Sequence, residues 1–472
     1  MEEMKNLGDF PSRFFSSADQ IWFAHLSGDW NPIHVDPIQA RRTQYGQVVH
    51  GIHVLMWALN SFFERVEVKS LSKLKVLFIH PVHLSDEVTI VQKEKGSEFL
   101  LEIYNQSKVL ISIELALSEE IFSDDCPLSS KKNSHIPDQH SFSDLSSFEG
   151  VEEIGADSFV LQEKFPHLVH AIGNLRVAAL LGLSRLVGMR CPGLNSIFSG
   201  LEVFFVSQVN SHLRFRTIRH SMPSLPIKIS INGAGIEGSL NAFYRPSPVE
   251  QIKMTDLQLI VKKKEFSQQK ALIIGGSRGL GESVAKIVAA GGGQSVITYN
   301  TGELDAQKVV DEINGSGGVA RSFQLNIQHS LKNLEDLIKH EYPPTHVYYF
   351  SSPIIQSNRS SQFDRNLFDE FFSFYVLALD SICKVLADGP MIRLFYPSTI
   401  YLNEATPWYS EYICAKAAGE ALCGYFAHRY SHISFIVERL PRMRTDQTNS
   451  FLEIKSADTH EVMLSVVRKM NS

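Results

Sequence analysis

Residues 271–300, ALIIGGSRGLGESVAKIVAAGGGQSVITYN, decide the fold of the C-terminal part of the chain. Four apolar residues run into a glycine-rich turn, a stretch of helical length follows, and a second β-branched run closes the unit. This is strand, turn, helix, strand, the opening of a parallel sheet with helices on its faces. Glycines in such a turn let the backbone approach a pyrophosphate where a helix N-terminus offers unpaired N–H groups. Later strands are expected in THVYYFSS (345–352), MIRLFYPST (391–399) and ISFIVERLP (433–441), separated by segments long enough for helices.

Upstream the pattern changes. Gly51 to Phe63 (GIHVLMWALNSFF) is apolar with no internal Gly or Pro and reads as a buried helix. LKVLFIHPV, EVTIVQKE, FLLEIYNQ and VLISIELALS follow it and read as consecutive antiparallel strands. The same order returns further on, with a helix over Leu175 to Val187 and strand-like SIFSGLEVFFVSQV, HLRFRTIRH, PIKISING and SLNAFYRP. An internal duplication is therefore expected. Between the copies, residues 119–150 are rich in Ser and Asp and read as a solvated linker, and residues 251–269, with Lys262-Lys263-Lys264, read as a second connector. The expected organisation is 1–118, a linker at 119–150, 151–250, a linker at 251–269, and the α/β region at 270–472.

Composition narrows the function. The 472 residues are 44% hydrophobic and 20% charged, which excludes wholesale disorder and fibrous repeats. A formal charge of -6 lacks the basic footprint of nucleic-acid binding. Cys126, Cys191, Cys383, Cys414 and Cys423 show no CxxC spacing, so neither a disulfide framework nor a metal site is expected. The N-terminus MEEMKNLGDF is acidic, no run has the length of a membrane span, and a cytoplasmic location without membrane association is the expectation.

One phrase of the first copy carries chemistry: Leu26-Ser27-Gly28-Asp29-Trp30-Asn31-Pro32-Ile33-His34-Val35-Asp36, followed by Val49-His50-Gly51 at the helix start. A carboxylate and an imidazole can divide the work of base and acid, and the N–H of Gly51 can stabilise an oxyanion. From about Phe14 to Leu117 the chain resembles the MaoC-like, R-specific enoyl-thioester hydratases of the hot-dog fold. The resemblance implies that Asp29 and His34 hold a water for addition across a trans-2-enoyl thioester, with Gly51 beside the thioester carbonyl. Asn31 either orients His34 or caps the loop, while His50 and His53 read as structural. The second copy has no such phrase, only His167 and His170 near its helix, and is expected to line an acyl tunnel without catalysing. The fold implied is an α+β double hot dog followed by an α/β, Rossmann-type doubly wound parallel sheet.

In the C-terminal region, Gly275, Ser277, Arg278, Gly279, Leu280 and Gly281 form the glycine turn, and Tyr412 and Lys416 stand four apart in YICAK, downstream of Ser398 and Thr399. These resemble the short-chain dehydrogenase/reductase family over about Lys270 to Ser472. The resemblance implies that Tyr412 gives a proton to a carbonyl, Lys416 lowers the tyrosine pKa and binds the nicotinamide ribose, and Ser398 or Thr399 orients the carbonyl. Tyr299, Asn300, Asn326, Ser351 and Pro441 fall at further cofactor positions. Arg278, with no acid closing the second strand, favours NADPH over NADH. Departures from the family pattern are Ile274, Asn326, Phe350-Ser351-Ser352-Pro353 and the absence of an asparagine in FSFYV at 372–376.

The function implied is a bifunctional acyl-thioester enzyme, an (R)-specific enoyl hydratase joined to an NADPH-dependent 3-oxoacyl reductase. Its substrates would be carried on coenzyme A or on the phosphopantetheine of an acyl carrier protein, and a homodimer is the expected assembly. The alternative is a hydratase whose reductase domain serves only as a nucleotide-binding or scaffold module.

Overall fold

A computed structural model describes residues 10–472 except 44–45, 67–69, 85, 96–97, 120–127, 129–134, 208–209, 246, 330, 356–361, 405, 407 and 450–453. Two compact units divide the chain, Met1–Ser247 with Ser450–Glu453, and Pro248–Asn449 with Ile454–Ser472. Among the described residues no single helix is long and apolar enough to cross a membrane.

The first unit begins with α1 (Ser17–Ser27), whose start is fixed by a capping box between Ser16 and Asp19. Gly28 ends it with φ +75°, a left-handed conformation that suits glycine. Asn31 then caps the short α2 (Pro32–Val35) and Asp36 caps α3 (Pro37–Ala40), each with proline at the first helical position. The sequence GDWNPIHVDP is thus one helix stop followed by two cap-and-proline starts, which is why it folds into tight corners.

Helix α4 (Gly51–Phe63) occupies the span expected of it and leads to β1 (Ser70–Phe78), β2 (Thr89–Lys95), β3 (Glu98–Asn105) and β4 (Lys108–Ser118). The second half contributes β5 (Glu149–Glu153), α5 (Ser158–Lys164), α6 (Pro166–Ile172), α7 (Asn174–Arg185), β6 (Ser196–Phe205), β7 (His212–Arg219), β8 (Ile227–Gly233) and β9 (Ile236–Tyr244). Both halves share one nine-stranded sheet in the order β2-β3-β4-β1-β6-β9-β8-β7-β5. The halves join where β1 pairs antiparallel with β6, Lys73 opposite Phe204 and Val76 opposite Leu201. Val54, Leu55 and Phe62 of α4 and Val177, Leu180 and Leu181 of α7 belong to one continuous core with the sheet residues Val76, Val203 and Leu240. Fully burying each such side chain is worth roughly 1.5–3 kcal/mol.

The stretches read as connectors differ from expectation. Within 119–150, Leu145 is buried and Phe148 packs against the core, and Glu149 of β5 pairs with Arg216 of β7, because a few apolar residues among the serines suffice to dock the chain. Residues 120–127, with Cys126, and 129–134 lie outside the described residues, as do residues 1–9. In 251–269, helix α8 (Met254–Ile260) buries Met254 and Leu257 in the second unit's core. Met254, Leu257 and Val261 recur at helical spacing, an apolar face that the lysine run obscures.

The second unit continues with β10 (Lys270–Ile274), α9 (Gly279–Ala290), β11 (Gln294–Tyr299), α10 (Glu303–Gly315), β12 (Val319–Gln324), α11 (Lys332–Asp336) and β13 (His346–Tyr349). It closes with α12 (Arg365–Phe372), α13 (Ala378–Leu386), β14 (Ile392–Thr399), α14 (Ser410–Arg429), β15 (Ile433–Leu440) and α15 (Thr459–Asn471). The six strands are parallel in the order β12-β11-β10-β13-β14-β15. The order reverses beside β10, where the first connection leaves one way and the later ones the other. Such a switch point opens a crevice at the C-terminal ends of the strands.

Candidate active sites

In the first unit the corner at Gly28 delivers Asp29, 2% exposed, into the interior. Ser184 Oγ on α7 donates a 2.6 Å hydrogen bond to Asp29 Oδ2, and the backbone N–H of Asn31 donates to Oδ1 at 3.2 Å. Burial pushes the Asp29 carboxyl up from its ordinary value, against the pull of His34 and Ser184. On α2, His34 has Nδ1 2.9 Å from Val48 O. A carbonyl only accepts, so Nδ1 carries the proton of the neutral ring and Nε2 keeps its lone pair. Burial pushes His34 down, while Asp29 and Val48 O act the other way.

Asp29, His34 and Gly51 line one cavity of about 190 Å³, walled by Phe78 and Val82 of the first half and by Ile197, Phe198 and Phe243 of the second. Gly51 is the first residue of α4, so its N–H has no acceptor within that helix. A Cβ at Gly51 would lie 2.8 Å from the Phe78 ring, so glycine is required for ring and helix start to meet.

The structure brings Asp29, His34 and Gly51 together and adds residues that the sequence did not single out. Ser184 and Gly188 come from the half read as lining the tunnel, and a Cβ on Gly188 would lie 2.2 Å from Asp29 Oδ1. Their spacing of four on a helical stretch was the available signal, two small residues on one face. Asn31 caps the loop, its Oδ1 accepting from Ile33 N–H while Nδ2 donates to Gly188 O at 2.8 Å and Gly193 O at 3.2 Å. His50 stacks on His34 with ring centroids 3.9 Å apart. His53 packs among rings, stacked on Phe23 at 4.5 Å, with neither ring nitrogen hydrogen-bonded.

In the second unit the parallel register brings the glycine turn and the C-terminal ends of the strands to one end of the sheet. Ser277 to Gly281 span the turn and first residues of α9; Tyr299 and Asn300 end β11; Asn326 follows β12, Ser351 follows β13 and Pro441 follows β15. Gly275 has φ +85° and a Cβ there would lie 2.8 Å from Ser351 N, while a Cβ on Gly281 would lie 2.2 Å from Gly275 O. This close turn at the start of a twelve-residue helix suits a pyrophosphate. Glu282 in the first turn of α9 is paired with Lys286 at 2.7 Å, so its charge is met. Arg278 lies 3.9 Å from the Asp446 carboxylate, and Asn326 Oδ1 accepts from Gln328 N–H.

Tyr412 on α14 neighbours Thr399, whereas Ser398, pointing to the opposite side of β14, neighbours Glu420. The geometry therefore groups Thr399 with Tyr412. The tyrosine pKa differs from expectation: burial raises Tyr412 to about 12. Lys416 Nζ instead donates to Pro397 O at 2.7 Å, lies 3.9 Å from the Tyr375 ring centroid, and is lowered by burial to about 7. Tyr375 lies in the FSFYV stretch that holds no asparagine, and its hydroxyl meets Ser352 Oγ at 2.6 Å.

Residues 5–112 match the family model of the MaoC like domain. The peroxisomal hydratase-dehydrogenase-epimerase of Saccharomyces cerevisiae is 27% identical over 109 residues, 23% of this chain and 12% of that protein. The chain thus spans about an eighth of that relative's length. The hydroxynaphthalene reductase-like protein Arp2 of Metarhizium anisopliae is 27% identical over 192 residues, 38% of this chain and 68% of that protein. The chain is thus similar to a MaoC like domain over residues 5–112 and, over 192 residues, to a reductase-like protein. A dehydrogenase/reductase structure from Sinorhizobium meliloti is 20% identical, covers 46% of this chain and 92% of its own, and has a TM-score of 0.40. Asp29, His34 and Gly51 lie within the MaoC-like match, and Ser184 and Gly188 lie beyond its last residue.

Proposed function

We propose that the chain is a bifunctional acyl-thioester enzyme. In this reading the first unit is a double hot dog acting as an (R)-specific hydratase of trans-2-enoyl thioesters, and in reverse as a 3-hydroxyacyl dehydratase. The carrying observation is the convergence of Asp29, His34 and the Gly51 N–H on one largely apolar cavity. A water between the carboxylate and His34 Nε2 loses a proton to one of them as its oxygen bonds carbon 3 of the enoyl group. That same group then passes the proton on to carbon 2 and regains its starting state while its partner keeps the water in place, and the Gly51 N–H stabilises the oxyanion formed meanwhile at the thioester carbonyl. Burial raises Asp29 and lowers His34, so that each proton affinity is shifted toward the other's. The second half holds Asp29 through Ser184 and lines the acyl side through Phe198 and Phe243.

The second unit is read as an NADPH-dependent 3-oxoacyl reductase. The glycine turn and the start of α9 would hold the pyrophosphate; Arg278, with no acid closing β11, favours the 2′-phosphate; and the bound cofactor supplies hydride. Tyr412 gives the carbonyl oxygen its proton, Thr399 orients that carbonyl, and Lys416 lies beneath the tyrosine. The two activities are consecutive, since reduction yields the 3-hydroxyacyl thioester that dehydration consumes. The carrier is coenzyme A or an acyl carrier protein. Supplying a 3-oxoacyl thioester with NADPH should consume NADPH and yield first the (R)-3-hydroxyacyl and then the enoyl thioester. No NADPH consumption would reduce the second unit to a binding module, and no hydration of an enoyl thioester would remove the first assignment.

A further inference from the structure

Gln20 is completely buried on α1, although a buried amide is costly unless its polar atoms are bonded. Its Oε1 accepts from the backbone N–H of His50 at 3.0 Å and lies 2.9 Å from His50 Nδ1. The backbone donor orients the amide, because only the oxygen can face that N–H, and Nε2 turns toward Ser16 O at 3.4 Å. On the other side of the ring, His50 Nε2 is 3.0 Å from Asp29 O and 4.0 Å from Asp29 Oδ2. The same ring stacks on His34 at 3.9 Å with planes 25° apart. His50 is fully buried and is not among the residues lining the cavity, so it meets both proposed catalytic side chains' residues without meeting substrate.

We infer that Gln20 and His50 are positioning residues, a relay in which the buried amide fixes the imidazole and the face of the imidazole fixes the ring plane of His34. Its nitrogens both face carbonyl oxygens, so the neutral ring donates through one of them only; that bond and the stack on His34 limit its rotation, and its face then sets where His34 lies. A positional error of an ångström at such a pair lowers turnover more than binding. The inference rests on the hydratase reading.

The test compares Gln20→Leu, which keeps the bulk and loses the acceptor, with Gln20→Glu, which keeps acceptor oxygens at the same reach. Hydration of a trans-2-enoyl thioester by Gln20→Leu should show kcat lowered about tenfold or more, equivalent to about 1.4 kcal/mol, with KM within about twofold. Gln20→Glu should recover kcat to within about threefold. Unchanged kcat in Gln20→Leu, an effect confined to KM, or a Glu variant as slow as the Leu variant would overturn the relay. Should Gln20→Leu fail to fold by circular dichroism, Gln20→Asn, one methylene short of His50, takes its place in the comparison. The ring-nitrogen resonances of His34 report on the relay without activity: they should move in Gln20→Leu, and their constancy would overturn it. Loss of hydration in the unaltered chain would instead overturn the hydratase reading alone.

Discussion

Ser184, on the α7 helix of the second half, donates a 2.6 Å hydrogen bond to the Asp29 carboxylate of the first, across 155 residues of sequence. The half without a catalytic phrase therefore holds the acid of the half that has one. A hydrogen bond to a buried charged group is worth about 1.5–3 kcal/mol. Ser184→Ala should lower kcat/KM for hydration by about ten- to a hundredfold, and by removing a group that pulls the Asp29 pKa down it should move the carboxylate limb of the pH–rate profile upward. Steady-state rates across pH check both, and an unchanged profile would separate Ser184 from the chemistry.

His53 offers a test of pH-dependent stability. Burial lowers its pKa from 6.5 to about 3, so the folded chain keeps it neutral where the unfolded chain takes up a proton. Stability is fully present above 6.5 and is lost as pH falls toward 3. His53→Phe, which keeps the stack on Phe23, should lose less melting temperature than the unaltered chain between pH 7 and pH 4.5. Parallel losses in thermal melts would assign the acid sensitivity elsewhere.

Much of this was legible in the sequence, and the exceptions have physical causes. Gly51–Phe63 was readable to the residue because an apolar run with no breaker is bounded by a glycine start and a charged end. GDWNPIHVDP was readable because caps and prolines act locally. Ser184 was not, since one serine in an apolar helix looks the same whether it meets a carboxylate or a neighbouring carbonyl. Adjacent Ser398 and Thr399 could not be separated because alternation on a strand is visible only once one face is known. The expected depression of the Tyr412 pKa failed for a related reason: spacing of four places Lys416 on the same helical face but does not say that its amine bonds Pro397 O.

That alternation yields a prediction. Thr399→Val should lower reduction of a 3-oxoacyl thioester by about a hundredfold, on the scale of lost hydrogen-bond stabilisation at a reacting oxygen. Ser398→Ala should stay within about threefold. NADPH oxidation rates decide it, and the reverse ranking would place the orienting hydroxyl at Ser398.

Cofactor choice is tested directly by calorimetric titration. With no acid closing β11 and Arg278 at the turn, NADPH should bind at least about tenfold more tightly than NADH, about 1.4 kcal/mol. Equal affinities would contradict this reading of the turn.

Each unit has its own core and its own set of reactive side chains, so each activity should survive loss of the other. Tyr412→Phe should abolish reduction and spare hydration, and His34→Ala should do the reverse. Collapse of hydration in a folded Tyr412→Phe protein would require a shared or coupled site.

The most direct measurement of the central claim is hydration of a trans-2-enoyl thioester, followed by loss of the conjugated absorbance, in Asp29→Asn and His34→Ala. General acid–base catalysis by this pair predicts a fall of about a hundredfold or more in each variant, with the fold retained by circular dichroism. Full activity in both variants would contradict the account, because no chemistry assigned to the cavity would then depend on the two residues that define it.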